Sequence, residues 1–412
     1  MEASASLGVV AAEDIEDRSG ITLITEDQDV PAALQQRLAQ RDLRKPIEAS
    51  LGVKNGVTAA DLEREAVRLC QGSPFLSAIV GHDFAELKRL YRSVPLHPFV
   101  RLLLSVQQVT RPKLFSHSVL GSILAGALVL KAGEPLVNAQ RALLAGLLHD
   151  CGELYGNPNI ASRIGGASRD QWQEIVAHPE TGSRIIEQYT DCPKSISQAV
   201  HEHHERIDGS GYPRGLSEHQ LSPLGRVLSV METVCGVMNA PDNHGPRAKL
   251  AVSFVTGEYD PQVVRMLAVS LAGTSAAEVI LSPGFDVDAA LHQAGMMSEC
   301  LIAARKAAAH LAQTRFEDEE TAHVAMFARN RVERLISSWD ATGIAEYFAT
   351  KTAQRSRPEE DQESYFDLDV VTRELIWRMR SLARQITLSL HQRRLAGDDA
   401  LEPVIAALEG AP

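Results

Sequence analysis

The sequence is poor in the residues on which several classes of protein depend. Its 412 residues include five cysteines, which are scattered, odd in number and without a CxxC pair. They argue against a disulfide framework or a zinc knuckle and favour a reducing compartment. Aromatic residues make up only 5% of the chain, and Ala and Leu dominate the apolar set. This composition favours helix over sheet.

An excess of basic residues is also lacking. The chain has 41 Lys and Arg against 53 Asp and Glu, which gives a formal net charge of −12. A duplex-DNA binder needs a basic face, so the charge balance argues against duplex nucleic acid as a partner. Residues 96–260 carry only −2 of this charge, from 14 basic and 16 acidic residues. Most of the net negative charge therefore lies in the flanking regions. The charge of residues 96–260 is compatible with a small phosphate ligand.

Long hydrophobic runs and a basic leader are missing as well. The first twenty residues are acidic where a signal peptide would be basic. The longest apolar run, Val119 to Leu130, is interrupted by Ser and Gly and is too short to span a bilayer. We therefore expect a cytoplasmic protein without a membrane span.

The spacing of apolar residues predicts a mainly α-helical fold in three regions. Residues 1–95 are predicted to be a small adaptor or regulatory module, mixed α/β or helical, that opens with a loose acidic tail over residues 1–20. Residues 96–290 read as a domain of buried helices, and residues 291–412 as a C-terminal helical extension. The long helices of this extension suit a bundle or the seam of a homodimer equally well.

Histidine is the residue type that is concentrated. Six of the 14 histidines fall within an 88-residue window, from His117 to His204. One histidine on an apolar helix is usually satisfied within the core, but several unpaired buried polar groups would each cost free energy. A shared metal site would satisfy them together. The candidate ligands are His117, His149, Asp150, His178, His203, His204 and Glu232.

These candidates combine imidazole and carboxylate groups without a thiolate. Such a set suits iron, manganese or zinc at a catalytic site. Seven ligands are too many for one ion and right for two, with Asp150 placed to bridge. Two divalent ions that clamp a phosphodiester are a known solution for hydrolysis. The sequence contains no Ser–His–Asp arrangement, Walker loop or GxGxxG that would compete with this hypothesis.

The pattern resembles the HD-GYP subgroup of HD-domain phosphohydrolases. The resemblance depends on His117, the His149–Asp150 doublet, His178 and the stretch HHERIDGSGYPRGL that begins at His203. It runs from about residue 113 to 268, and its HHExxDGxGYPxGL motif is long and specific. It implies a helical HD-domain (HD-GYP) core. The implied activity is hydrolysis of the bacterial second messenger cyclic di-GMP to pGpG or GMP by a metal-activated water.

The resemblance also assigns roles to single positions. Two divalent ions are implied, with iron or manganese favoured and zinc also accepted. The loop that contacts the substrate would comprise Asp208, Gly209, Gly211, Tyr212 and Pro213, and in the family it also docks signalling partners, such as a diguanylate cyclase (GGDEF) domain. One metal would be held by His117, His149 and Asp150, and the second by Asp150, His178, His203 and His204.

Several positions depart from the family pattern. The family usually reads HDxGK, and its Lys acts on the substrate phosphate or the attacking water, so Asp150 and Glu153 are the predicted catalytic residues, with the charge reversed at Glu153. Glu232 replaces the last Asp ligand. Lys113 stands where three-metal members carry Glu, which favours two metals. The nucleotide-binding Arg of the family has no clean match, and Arg247 can serve only if a short insertion is allowed.

These departures leave three interpretations open. Loss of one preorganised electrostatic donor typically costs about 10²–10³ in rate. The chain is therefore either an active cyclic di-GMP phosphodiesterase or a degenerate HD-GYP protein. The latter would bind metal and cyclic di-GMP as a signalling or protein-interaction module. The third interpretation is that the same centre hydrolyses another phosphoester.

Overall fold

The computed structural model describes residues 7–157, 169–238, 245–271, 286–316, 318–343, 362–392 and 399–411. The predicted mainly α-helical class is confirmed. The helices are α1 (Ala32–Leu38), α2 (Ala59–Gln71), α3 (Pro74–Val80), α4 (Phe84–Ser93), α5 (Pro98–Thr110), α6 (Pro112–Lys131), α7 (Leu136–Leu148), α8 (Arg169–Tyr189), α9 (Lys194–Glu202), α10 (Pro223–Met238), α11 (Gly245–Ser253), α12 (Pro261–Leu271), α13 (Val287–Leu311), α14 (Glu319–Ala341), α15 (Gln362–Gln392) and α16 (Glu402–Glu409).

Many of these helices begin at sequence signals for a helix start. Proline occupies the first turn at Pro74, Pro98 and Pro112, where its fixed φ suits a helix and no amide donor is needed. Thr58 and Asp61 form a reciprocal capping box at the start of α2. Helix α8 runs from Arg169 to Tyr189, and α6 begins at Pro112, so His117 lies on α6.

The chain divides into two compact units. The first contains residues 1–158, 175–239 and 260–274, and the second contains residues 159–174, 240–259 and 275–412. The predicted division at residues 95 and 290 differs from these units. Helices α2 and α3 pack on α6, and α4 packs on α7, so the adaptor residues share a unit with the helices that follow them.

The N-terminal residues form two small antiparallel sheets in the first unit. Their strands are β1 (Val9–Ala11), β2 (Ile15–Glu16), β3 (Thr22–Ile24) and β4 (Leu51–Val53). Strand β1 pairs with β4, and β2 pairs with β3. For the described residues, the prediction of a loose tail over residues 1–20 is therefore wrong. The three-residue strand β1 has too little local signal, and its partner lies far along the chain.

Helices α6 and α7 form the most extensive helix pair of the first unit. Their close approach depends on Gly146, where a Cβ atom would lie 2.7 Å from the Cα atom of Ser122. Of the described helices, α6 is the one that is long and apolar enough to cross a membrane by length and composition, and most of it is buried within the unit. The contacts of α6 and α7 hold together the ends that carry His117 and His149.

The second unit has its own core, formed by α13, α14, α15 and α16. Phe254 and Val255, which follow α11, pack into this core. Nη2 of Arg378 lies 2.8 Å from Oε2 of Glu258, and both side chains are only 3% exposed. The same Nη2 atom donates to the carbonyl of Ala251 at 2.9 Å. A buried, hydrogen-bonded ion pair thus joins the segment around α11 to α15.

Candidate metal centre

The structure brings the seven predicted ligands together in the first unit. They lie at the ends or inside of helices α6 to α10, and their donor atoms form two groups that share Asp150. Within each group the donor atoms lie within 4.8 Å of one another. One group contains His117, His149, Asp150 and Glu232, and the other contains Asp150, His178, His203 and His204.

The two oxygens of Asp150 face different groups. Oδ2 lies 3.1 Å from Nε2 of His117 and 3.1 Å from Nε2 of His149. Oδ1 lies 3.3 Å from Nε2 of His178 and 3.4 Å from Nε2 of His203. The carboxylate therefore stands between the groups with one oxygen directed to each, as a bridging ligand requires.

Glu232 completes the first group, although its side chain is one methylene longer than the family's Asp. Its Oε2 atom lies 3.2 Å from Nε2 of His149 and 3.4 Å from Nε2 of His117. It projects from α10, a helix whose neighbouring positions are largely buried and apolar. The longer side chain of Glu232 thus reaches the Nε2 atoms of both His149 and His117.

Backbone carbonyls orient three of the histidines. Nδ1 of His149 lies 2.8 Å from the Gly146 carbonyl, and Nδ1 of His203 lies 2.5 Å from the Val200 carbonyl. Both rings cap the C-terminal ends of their helices, where carbonyls lack intrahelical amide donors. A carbonyl only accepts, so Nδ1 carries the proton, and Nε2 of the neutral ring presents a lone pair. His178 is held in the same way by the carbonyl three residues before it.

The converging lone pairs fit a cation. Nε2 of His178 and Nε2 of His203 are 3.1 Å apart, and in the neutral tautomers that the two carbonyls favour both atoms are acceptors. Two acceptors at this distance repel unless a positive charge lies between them. Two donors about 2.1 Å from one ion are expected about 3.0–3.4 Å apart. Among the described residues, Oδ1 of Asp150 and Oε2 of Glu232 also have no hydrogen-bond partner. The cluster therefore suits divalent metal.

In the metal-free cluster the carboxylates are held as anions and in turn favour protonated imidazoles beside them. Burial alone would raise the pKa of Asp150, but the neighbouring histidines, His149 first, hold it well below its usual range. Burial would lower the pKa of His117, but Asp150 and Glu232 outweigh it and raise the pKa to about 9. Burial lowers the pKa of His204 well below its usual value, and His203 adds to this effect. The anionic carboxylates and the neutral His204 are in forms that bind metal, whereas an ion bound at His117 would displace the proton of its ring.

Glu153 lies beside this centre on a short 3₁₀ helix, Cys151–Tyr155. Burial raises the pKa of its carboxyl group to about 7, and the charge of Asp150 contributes to the rise. Arg111 donates to the backbone carbonyl of Glu153 at 2.6 Å, so this cation supports the backbone of the 3₁₀ helix. Gly152 allows the close packing here, because a Cβ atom would lie 2.1 Å from the carbonyl oxygen of His178.

The predicted substrate loop, Asp208 to Pro213, reaches the centre through one aromatic ring. Tyr212 stacks on His204, with ring centroids 4.5 Å apart and an interplanar angle of 19°. Gly209 adopts a φ of +78°, and Asp208 accepts a hydrogen bond from the amide of Ser210 at 3.0 Å. The bond between Tyr212 and Pro213 is cis. Gly211 passes so close to the chain that a Cβ atom would lie 2.3 Å from the Cα atom of Glu205.

Glu205 is a positioning residue that the sequence reasoning missed. Its carboxylate accepts hydrogen bonds from the amides of Arg214 at 2.7 Å and Leu216 at 2.9 Å. It thereby fixes the end of the loop that carries Tyr212. The sequence did contain a signal for this role, because Glu205 is the third residue of the HHExxDGxGYPxGL motif.

Arg247 lies in the second unit, on α11. Its Nη2 atom is 3.7 Å from Oδ2 of Asp369, and both side chains are buried. The structure therefore places Arg247 in an ion pair of the second unit and not among the seven ligands. Its contact with a nucleotide phosphate stays a prediction.

A helical unit in which a His–Asp doublet links two histidine groups defines an HD domain. Residues 106–238 match the family model described as HD domain. Residues 106–238 are thus similar to HD domains, and the HHERIDGSGYPRGL stretch within them resembles the HD-GYP subgroup.

Curated relatives resemble part of the chain. A cyclic di-GMP phosphodiesterase of Pseudomonas aeruginosa is 34% identical over 42% of this chain and 43% of the relative. The 3'3'-cGAMP-specific phosphodiesterase 1 of Vibrio cholerae is 27% identical over 44% of this chain and 46% of the relative. This chain therefore spans less than half the length of these relatives. A solved HD-GYP-type protein of Bdellovibrio bacteriovorus also matches, at 20% identity and a TM-score of 0.38. The match covers 52% of this chain and 70% of that protein.

Proposed function

We propose that the chain is a metal-dependent phosphodiesterase that hydrolyses cyclic di-GMP to pGpG or GMP. The observation that carries this proposal is the pair of donor groups that share Asp150. Two ions, iron or manganese, would occupy these groups. The relative from Pseudomonas aeruginosa, named as a cyclic di-GMP phosphodiesterase, supports the choice of substrate.

In this proposal one set of residues binds metal and another residue exchanges protons. Divalent ions in this centre would neutralise charge on the phosphate and acidify a water molecule. Asp150 and the histidines would hold the ions. Tyr212 covers the ring of His204 and keeps it in place. In the metal-free protein burial raises the pKa of the Glu153 carboxyl group to about 7, so a group that can exchange protons lies beside the centre.

The competing function is binding without turnover. Glu153 is the observation that favours it, because an ionised carboxylate beside the centre would repel an anionic substrate and cannot replace the family's Lys. The same donor groups would still hold metal. Docking of a diguanylate cyclase domain on the Asp208–Pro213 loop, a homodimer and the cytoplasmic location stay predictions.

One set of measurements separates these functions. Full-length protein is reconstituted with Mn²⁺ or Fe²⁺, its metal content is measured by mass spectrometry, and cyclic di-GMP and 3'3'-cGAMP are each supplied as substrate. We expect about two ions per chain and turnover of cyclic di-GMP that is lost in His203→Ala. Full metal occupancy without turnover of either dinucleotide, followed by turnover in Glu153→Lys, would establish the binding module instead.

A further inference from the structure

Arg111 lies at the junction between α5 and α6, close to the start of the helix that carries His117. Its amide nitrogen donates to the carbonyl of Gln107 at 2.8 Å, and its own carbonyl accepts from the amide of Phe115 at 3.1 Å. The backbone of Arg111 thus ends one helix and begins the next, where Pro112 occupies the first position. Two helices therefore fix the point from which its side chain projects.

The guanidinium group of Arg111 binds the far end of the 3₁₀ helix that follows Asp150. Its Nη1 atom donates to the carbonyl of Glu153 at 2.6 Å, and its Nη2 atom donates to the carbonyl of Gly156 at 3.1 Å. Carbonyls at the end of a helix are short of amide donors, and a guanidinium group presents several N–H groups in a fixed, planar fork. One side chain therefore binds two carbonyls of this turn at once.

This contact crosses from the start of α6 to the chain beyond α7. Gly146 packs against Ser122, and further along the same pair of helices Nε2 of His149 lies 3.1 Å from Nε2 of His117. Because these pairs run in opposite directions along the chain, the two helices are antiparallel. Helix α7 ends just before His149, so the first turn of α6 lies beside the 3₁₀ helix instead. Arg111 makes the connection at that place.

The connection concerns the first donor group more directly than the second. Asp150 directly precedes the 3₁₀ helix, and His117 lies on α6, about 9 Å from Arg111 along the helix axis at 1.5 Å per residue. Both belong to the first group. In the second group, Asp150 faces histidines of α8 and of the end of α9. Among the described residues, Arg111 donates a hydrogen bond to neither of these helices.

We propose that Arg111 is a positioning residue for the first donor group. It fixes the start of α6 to the turn after Asp150, and so keeps Nε2 of His117 beside Oδ2 of Asp150, 3.1 Å away. Replacement of a residue that positions metal ligands typically lowers metal affinity by about 10–100-fold. This role rests on the proposed metal centre.

Calorimetry with Mn²⁺ on the full-length protein measures this role without a substrate. Arg111→Ala should still bind about two ions per chain, one of them about tenfold more weakly. Arg111→Lys keeps the charge but lacks the planar fork, so it should restore only part of the affinity. Arg101→Ala is the matched control, because Arg101 lies on α5 and likewise donates to a backbone carbonyl, that of Val57 at 3.2 Å. Neither Arg101 nor Val57 belongs to a donor group.

Two further substitutions identify the ion that is weakened. In His204→Ala the first donor group is intact, and adding Arg111→Ala should still lower the affinity of its ion by about tenfold. In His117→Ala the second donor group is intact, and adding Arg111→Ala should change the affinity of its ion by less than about twofold. A general loss of packing would lower both affinities equally. Circular dichroism verifies that each variant is folded.

The results have separate consequences. Unchanged Mn²⁺ affinity in Arg111→Ala, or an equal loss in the His204→Ala and His117→Ala backgrounds, overturns the positioning role and leaves the metal centre in place. A raised KM for cyclic di-GMP at unchanged Mn²⁺ affinity also overturns it, and assigns Arg111 to substrate binding. Failure of the wild type to bind Mn²⁺ defeats the metal centre and this role together. Absence of turnover defeats only the proposed phosphodiesterase, since Mn²⁺ binding is the readout for Arg111.

Discussion

Nδ1 of His178 lies 2.6 Å from the carbonyl oxygen of Ile175. In an uninterrupted helix this carbonyl would accept from the amide of residue 179, but that residue is Pro179, inside α8. The proline leaves the carbonyl free for the imidazole, which then directs Nε2 toward Asp150. An interruption of the backbone hydrogen bonds thus orients a candidate metal ligand.

Replacement of Pro179 should change the stability of the metal-free protein and its Mn²⁺ affinity in opposite directions. Pro179→Ala should raise the melting temperature of the metal-free protein, because proline inside a helix costs about 3 kcal/mol. The restored amide competes for the Ile175 carbonyl, so Mn²⁺ affinity should fall by about tenfold. Calorimetry and thermal denaturation measure both effects, with Pro135→Ala, before α7, as the control. Unchanged Mn²⁺ affinity at a raised melting temperature would contradict this role.

Because Asp150 lies between the two donor groups, we expect one substitution of this residue to remove metal from both groups. Asp150→Asn keeps the volume and removes the charge, so metal content should fall from about two ions to less than one, with affinity reduced at least about 100-fold. Glu202→Gln is the control, because Glu202 is a buried carboxylate nearby that bonds Ser222 and not the cluster. Retention of one tightly bound ion in Asp150→Asn would show that the groups are independent.

The contact between Gly152 and His178 predicts a steric effect at a position without a functional group. Gly152→Ala should destabilise the protein by about 2–4 kcal/mol and weaken metal binding, because the added Cβ collides with the His178 carbonyl. Gly156→Ala is the matched control, since its Cβ atom would meet nothing nearer than 3.6 Å. Urea denaturation and metal analysis test both variants, and equal behaviour would disprove the collision.

Glu153 predicts a pH-dependent loss of stability in the metal-free protein. Its pKa rises from 4.5 to about 7 on folding, chiefly through burial. The folded state therefore binds the proton more tightly, and stability falls as the pH rises from about 4.5 to 7, by up to about 3 kcal/mol. Glu153→Gln cannot ionise, so its stability advantage over the wild type should be larger at pH 8 than at pH 5.

Urea unfolding of chelator-treated protein at the two pH values measures this difference. Glu134→Gln, at an exposed carboxylate, controls for the change in net charge. If the stability advantage of Glu153→Gln over the wild type is the same at pH 5 and pH 8, ionisation of Glu153 does not cause the pH dependence of stability.

The metal centre was largely predictable because its residues form a linear signature. The HD doublet and the HHE stretch fix residue types at short spacings, and apolar helices around them mark the ligands as buried. Asp150 could be proposed as a bridge because seven ligands require two ions. Pro179 directly after His178 was a local signal that the Ile175 carbonyl is free for the imidazole, but the sequence reasoning did not use it.

Long-range pairing limited the prediction of the remainder of the fold. Strand β1 is three residues long and becomes recognisable only beside β4. Arg247 could match the family's nucleotide-binding residue only if a short insertion is allowed, and its ion-pair partner in the structure is Asp369, more than a hundred residues away. No local pattern near Arg247 signals that contact.

The buried pair of Arg378 and Glu258 joins positions 120 residues apart. It has a consequence for shortened forms of the protein. A fragment that stopped at residue 290 would retain Glu258 and Phe254 and lose the guanidinium and the helices that cover them. It would expose an apolar surface and leave a carboxylate without its counter-charge. Any recombinant version meant to fold on its own must therefore extend through α15, well beyond the catalytic signature.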